Sequence, residues 1–208
     1  MLEICPGCGA ALPASDGPAH RYIGASPSCW AIFTSLVNAG EPPLAFAPLN
    51  QLITDAYAAQ HPGIPSDQAI QSVAVHTLTL YAVLVRGVEP GRALWVRQRT
   101  LRGARRGRFF WLTPPSFHGA PTIADIVRQT TPAARTTEAQ HYINDVWQRW
   151  SLLHQPTNHR GLVRSVRYRL IRRAAPDSPV SDLVHGSRFS VLSSQFSVLS
   201  SQFSVLTP

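Results

Sequence analysis

The N-terminus of this 208-residue chain carries residues that could bind a metal ion. Cys5 and Cys8 flank a Pro-Gly pair, and a CxxC on such a turn aims two thiolates at one point. The backbone N–H groups of the turn stabilise the charge on the sulfurs. Two ligands do not complete a tetrahedral site, and Cys29 is the only other thiol in the sequence, with His20 between. The spacing therefore predicts a Cys3His zinc site made of Cys5, Cys8, His20 and Cys29.

Three points about this site stay open from the sequence. His61 or His76 could replace His20 as fourth ligand if the N-terminal segment folds onto the helices that follow. Four protein ligands would make the site closed and structural, whereas three would leave a position for a catalytic water. A redox role is less favoured, because a thioredoxin-type CxxC follows a strand and starts a helix, while this motif opens the chain. The alternative to any metal or redox site is that the three cysteines are unrelated thiols, each buried or exposed for its own reason.

A second group of polar residues surrounds the sequence DAYAAQHPG and the apolar stretch after it. Asp55 and His61 come near the end of one predicted helix, and His76 lies within the next. Polar groups in so apolar a setting need partners. They either form a pocket in which a histidine acts as ligand or general base, with Asp55 orienting it, or they hydrogen-bond the helices together. We favour the second interpretation, since no known catalytic motif accompanies them.

Apolar periodicity predicts a mainly α-helical bundle with an N-terminal zinc-knuckle-like loop. Helices are expected over residues 29–40, over residues 48–60, and after an N-cap at Ser66. Two more are expected where Thr122 with Asp125, and Thr137 with Gln140, have capping-box spacing. Between residues 94 and 112 an arginine-rich segment separates two apolar runs, which indicates either a short β-hairpin or a loop between helices.

Composition and length indicate one domain with appendages. With 44% hydrophobic and 14% charged residues, the chain can bury a sizeable core. We expect a single helical domain over residues 1–156, which includes a metal knuckle over residues 1–40. A basic extension follows over residues 157–175, and a low-complexity tail over residues 176–208 contains an FSVLSSQ repeat with a period of seven. The near-perfect repeat indicates a recently expanded and dispensable segment.

Arginine supplies a third possible function. All 19 basic residues are arginines, and the formal net charge is +8. The cluster between residues 97 and 108 lies among aromatic residues, as in proteins that bind nucleic acid without sequence preference. Its members are Arg97, Arg99, Arg102, Arg105, Arg106 and Arg108. Most of the positive excess lies after residue 156, however, which favours a solvated arginine surface over a nucleic-acid site.

The compartment is inferred from what the sequence lacks. The first residues do not have the basic segment followed by an apolar segment that is typical of a signal peptide, and the longest apolar stretch is shorter than a membrane span. Three cysteines cannot all pair, which favours a reducing compartment. We therefore expect a cytoplasmic protein that does not enter a membrane.

The chain contains, in this order, the blocks CPGCGAALP, GPAHRYIGASPSCW, DAYAAQHPGIPSDQAIQSVAVHTLTLY and FWLTPP, followed by TIADI and VWQRW. Over residues 3 to 155 this order resembles a widespread bacterial family of uncharacterised proteins, domain of unknown function 5946. The resemblance implies no activity. It does imply that certain residues belong to the family pattern, namely Cys5, Cys8, His20, Cys29, His61 and His76. The basic stretch after His159 and the FSVL repeat depart from that pattern.

Taken together, these features predict a zinc-binding helical protein whose metal is structural and which acts as a binding or interaction module with a protein partner. The first alternative is a metal-dependent enzyme with a pocket around Asp55, His61 and His76. The second is arginine-mediated binding of nucleic acid.

Overall fold

The computed structural model describes residues 1–38, 47–103 and 109–153, which contain six α-helices, one 3-10 helix (Pro90–Arg92) and one short antiparallel hairpin. The strands are β1 (Leu2–Ile4) and β2 (Ala11–Pro13). The helices are α1 (Pro27–Asn38), α2 (Ala47–Gln60), α3 (Asp67–Leu84), α4 (Ala93–Gly103), α5 (Ile123–Arg128) and α6 (Pro132–Leu153). The predicted mainly α-helical fold with an N-terminal knuckle is thereby confirmed.

The N-terminal hairpin presents the CxxC motif. Its strands pair Leu2 with Pro13, Glu3 with Leu12 and Ile4 with Ala11, and the CPGCG sequence forms the turn between them. The Cys5 N–H donates to the Ala10 carbonyl at 2.9 Å, which extends the ladder to the first thiol. This hairpin was not predicted, because three-residue strands are too short to show an alternating pattern.

The start of α1 places the third cysteine. Ser26 is the N-cap and Pro27 the first helical residue, and the Ser26 Oγ accepts the N–H of Cys29 at 3.3 Å. The helix therefore begins two residues before the predicted position, and Cys29 lies in its first turn. A thiolate there is favoured by the positive end of the helix dipole.

Helix α2 is the centre of the bundle. Ile53, Ala56 and Ala59 have no exposed surface, and Tyr57 is 1% exposed. The Trp150 indole N–H of α6 donates to the Ala59 carbonyl at 3.0 Å. Helix α2 is thus enclosed on several sides, and the residues at its C-terminal end have fixed positions.

Hydrogen bonds to Gln60 strengthen this attachment. The Tyr142 hydroxyl of α6 donates to Gln60 Oε1 at 3.1 Å, and Gln60 Nε2 donates to the Pro121 carbonyl at 2.9 Å. Gln60 has no exposed surface, so these bonds satisfy a side chain that could not be left unpaired.

Two expectations about secondary structure are wrong. Residues 93–103 form α4, so neither a hairpin strand nor a loop begins at Leu94. Helix α6 begins at Pro132 and not near Thr137, because Thr131 caps it by accepting the N–H of Ala134 at 3.2 Å. Thr137 lies within the helix, where its hydroxyl donates to the Ala133 carbonyl.

The predicted N-caps of α3 and α5 agree with the structure. The Ser66 side chain accepts the N–H of Ala69 at the start of α3, and the Asp125 carboxylate accepts the N–H of Thr122 at 2.7 Å before α5. Within the described ranges, no helix combines the length and the apolar character needed to cross a bilayer. The predicted basic extension and the repeat-containing tail lie outside the described residues.

Candidate metal centre

Three elements bring four potential metal ligands together. Cys5 and Cys8 come from the hairpin turn, Cys29 from the first turn of α1, and His61 from the residue after α2. Their ligand atoms all lie within 4.8 Å of one another. Cys29 Sγ is 3.9 Å from Cys8 Sγ and 3.4 Å from His61 Nε2. Each of the four residues is at most 1% exposed.

His61 is oriented by the last turn of α2. Its Nδ1 lies 2.8 Å from the Tyr57 carbonyl oxygen. A carbonyl only accepts hydrogen bonds, so Nδ1 carries the proton and Nε2 presents its lone pair to the sulfurs. A hydrogen bond of this kind to the second nitrogen is the usual way in which proteins fix a metal-binding histidine.

Glycines allow the hairpin turn to approach His61 closely. A Cβ added to Gly7 would lie 2.3 Å from His61 Cδ2 and 2.6 Å from the Gly24 carbonyl oxygen. Gly63 has a φ of +69°, and a Cβ there would lie 2.4 Å from the Tyr22 carbonyl oxygen. The Gly24 N–H also donates to the His61 carbonyl at 3.0 Å. Any side chain at these glycines would push the three ligand-bearing segments apart.

Hydrogen-bond donors point at the sulfurs. The Ser26 N–H lies 3.4 Å from Cys5 Sγ, and the Tyr57 hydroxyl donates to Cys29 Sγ at 3.6 Å. Such donors stabilise thiolates in metal sites. Sequence reasoning missed both residues, although the position of Tyr57 one helical turn before His61 is a signal that could have identified it.

The acidities of the three thiols show how strongly they interact. Hydrogen bonds from Cys29 and Cys8 lower the pKa of Cys5, while the hydrogen bonds to Cys5 and Cys8 raise the pKa of Cys29. For Cys8, the hydrogen bond with Cys29 lowers the pKa, but the bond to Cys5, burial and the Cys5 charge together raise it to about 12. One thiolate therefore forms readily and opposes the next two, and a bound cation would remove that opposition.

His20, the first candidate for the fourth ligand, is not part of this group. Its Nδ1 accepts the backbone N–H groups of Tyr22 at 3.4 Å and Ile23 at 3.2 Å, and its ring packs against Trp30 with centroids 4.7 Å apart. Burial lowers the pKa of His20 to about 4, so the ring is neutral near pH 7. His20 shapes the loop before α1, whereas the alternative ligand His61 lies with the cysteines.

The predicted pocket of Asp55, His61 and His76 does not form as one site. His61 faces the cysteines, while Asp55 of α2 pairs with His76 of α3, with 2.7 Å between Oδ1 and Nδ1. Arg97 of α4 also approaches Asp55, with 3.5 Å between Nε and Oδ1. The ion pair with Arg97 could not be found from the sequence, because α4 itself was not predicted.

Arg97 cannot belong to an exposed arginine surface. The residue is 5% exposed and also donates from Nη2 to Gln51 Oε1. The side chains of Arg99 and Arg102, and all of residues 104–108 with Arg105, Arg106 and Arg108, lie outside the described part of the chain. Binding of nucleic acid by these five stays a prediction.

Comparison with known proteins gives a family and no function. No curated protein and no solved structure matches the chain. A family model described as "Family of unknown function (DUF5946)" matches residues 3–151, which include all four residues of the cysteine and histidine cluster. This match covers well over half of the chain and confirms the resemblance seen in the sequence. The chain therefore belongs to the family of unknown function DUF5946.

Proposed function

We propose that Cys5, Cys8, Cys29 and His61 hold one zinc ion and that this zinc is structural. The single observation that supports the proposal most directly is the convergence of four ligand atoms within 4.8 Å. Three thiolates and one imidazole are a common donor set of structural zinc sites, while carboxylates and carbonyls are preferred by magnesium and calcium. The neutral Nε2 of His61, with Nδ1 bound to the Tyr57 carbonyl, suits this role.

Burial supports a structural role over a catalytic one. A catalytic zinc keeps an open position for water, whereas four protein ligands close the coordination sphere. Each of the four residues is at most 1% exposed, so the surrounding protein would shield the ion from a substrate in solution. Zinc would join the hairpin to α1 and to the end of α2, and it would contribute directly to folding free energy.

The proposed role of the folded domain is to bind a protein partner. A closed metal site performs no chemistry of its own, so the zinc would support the fold and leave the surface of the domain to bind the partner. Location in the cytoplasm remains part of the proposal, since three unpaired thiols favour a reducing compartment.

Elemental analysis of the full-length protein, purified without added metal, tests the zinc site. We expect about one zinc per chain, in line with a four-ligand site. The variant Cys8→Ser should lose the metal and unfold at a lower temperature. Chelation of the wild-type protein should have the same effect on thermal unfolding.

A matched pair of histidine variants identifies the fourth ligand. His61→Gln should weaken zinc binding, whereas His20→Gln should retain about one zinc per chain, because His20 binds backbone N–H groups and lies outside the cysteine cluster. Absence of metal from the wild-type protein would contradict the proposal. Loss of metal from His20→Gln, with full retention in His61→Gln, would contradict the ligand assignment.

A further inference from the structure

A buried carboxylate links three helices at a second polar cluster, defined here as the dyad site of Asp55, His76 and Arg97. Asp55 of α2 has no exposed surface. Its Oδ1 lies 2.7 Å from His76 Nδ1 of α3 and 3.5 Å from Arg97 Nε of α4. The dyad site shares no residue with the cysteine cluster, so it is a separate site.

The geometry sets the tautomer of His76. A carboxylate only accepts hydrogen bonds, so Nδ1 must be the donor, and in the neutral ring the lone pair then lies on Nε2. Within the described residues Nε2 has no hydrogen-bond partner, and this atom is not fully buried. The side chain is 14% exposed, while the carboxylate it faces is fully buried. The lone pair of Nε2 is therefore open to solvent.

Charge balance leaves the imidazole free to act as a base. Arg97 neutralises the Asp55 carboxylate, so His76 is not needed as a counter-ion for a buried charge. A carboxylate that holds Nδ1 while the other nitrogen faces solvent is the arrangement that prepares a histidine to accept a proton.

The polar atoms of the dyad site are not all satisfied. Asp55 Oδ2 and Arg97 Nε are fully buried and have no hydrogen-bond partner among the described residues, and the same is true of Asn50 Oδ1 on α2. Such atoms cost stability unless a small polar molecule pairs with them, so they mark a place where water or a ligand hydroxyl can bind.

We propose that Asp55 and His76 form a proton-accepting dyad for a hydroxyl compound, water included, at the surface of α3. In the step, the O–H bond breaks, its electron pair stays on oxygen, and the proton forms a new bond with His76 Nε2. The positive charge of the imidazolium is then stabilised by the Asp55 carboxylate through Nδ1–H. His76 is the group that touches the ligand, and Asp55 is a positioning residue.

Hydrolysis of p-nitrophenyl acetate by the full-length protein provides a test. The chain contains no lysine, so the N-terminal amine is its only aliphatic amine that could react with the ester. We expect His76→Gln to lower the protein-dependent rate by about tenfold or more, the lower end of what general-base catalysis contributes. His141→Gln is the matched control, because His141 is an exposed histidine on α6, and its rate should equal that of the wild type. Equal rates in His76→Gln and wild type would overturn the proposal.

Two further measurements examine the role of Asp55. Nitrogen NMR of the wild-type protein at pH 8 should show His76 protonated at Nδ1 and unprotonated at Nε2, and the opposite tautomer would refute the dyad without any variant. Since Asp55→Asn alone leaves Arg97 unpaired in the core, the charge-balanced double variant Asp55→Asn with Arg97→Gln is preferred. Its hydrolysis rate should fall toward that of His76→Gln, and a wild-type rate would show that Asp55 does not position the histidine.

Discussion

Replacement of Gly7 by alanine tests the geometry of the metal centre most directly. The new Cβ would lie 2.3 Å from His61 Cδ2 and 2.6 Å from the Gly24 carbonyl oxygen. Two carbon atoms in ordinary contact are roughly 3.5 to 4.0 Å apart, so one group must move by roughly 1 Å or more. The carbonyl belongs to the backbone, and the His61 ring is held by the Tyr57 carbonyl. Movement of the ring would break its bond to the Tyr57 carbonyl, and movement of Gly24 would disturb the bond from its N–H to the His61 carbonyl.

The size of the effect follows from that displacement. Forcing an extra methyl group into a well-packed site costs about 1 to 3 kcal/mol. The metal-free chain can relieve this strain by turning the His61 ring away, whereas a chain that uses His61 as a ligand cannot. The strain therefore opposes metal binding, and zinc affinity should fall by roughly 5- to 150-fold.

The assay is a zinc titration in competition with a chromophoric chelator, with Gly87→Ala as control. Gly87 has a φ of +66° and open space around its Cα, so alanine there adds only backbone strain. It should lower the free energy of unfolding by about 1 kcal/mol without changing zinc affinity. Unchanged zinc affinity in Gly7→Ala would refute the assignment of His61 to the site.

Three further outcomes are expected. Thr131→Ala removes the α6 cap and should lower the free energy of unfolding by about 0.5 to 2 kcal/mol, whereas Thr137→Ala, inside the helix, should change it by less than about 0.5 kcal/mol in denaturant titrations. Trp150→Phe should cost about 1 to 2 kcal/mol in the same assay, because the Ala59 carbonyl loses its indole donor. The pKa of His20 is about 4 in the folded protein and 6.5 in the unfolded chain, so the unfolded chain binds a proton first as the pH falls. The neutral His20 ring therefore contributes to the free energy of unfolding above pH 6.5, and this contribution is lost as the pH falls toward 4. Allowing for its partly exposed ring, His20→Gln should reduce this acid-dependent loss by about 1 kcal/mol, measured as the difference in unfolding free energy between pH 7.5 and pH 5.

The sequence predicted the grouping of Cys5, Cys8 and Cys29, but it preferred His20 as the fourth member and offered His61 only as an alternative. A thiol pair on a Pro-Gly turn forms a local structure, and Cys29 was the only thiol left to join it. The choice between His20 and His61 depends instead on how α2 packs against the hairpin turn. That packing is set by close approaches at Gly7 and Gly63, which spacing along the chain does not reveal.

Two errors in the secondary structure have separate causes. In α4 the tryptophan and valine after Leu94 resemble a strand, but the segment is helical and its buried Arg97 pairs with Asp55 of α2, a contact distant in sequence. In α6 the capping-box spacing of Thr137 was real, but Thr131 and Pro132 start the helix first. A helix that has already begun continues through a second capping sequence, since the backbone N–H groups there are already paired.

The position of His61 has a consequence for the order in which the protein folds. A metal bound by Cys5 and His61 closes a loop of more than fifty residues, much as a disulfide would. In the chain-entropy model, such a cross-link restricts the unfolded state by about 4 kcal/mol. During synthesis the thiols emerge first, and His61 follows only after the whole α2 segment. If His61 completes the site, the full coordination sphere could form only once the α2 segment has been synthesised.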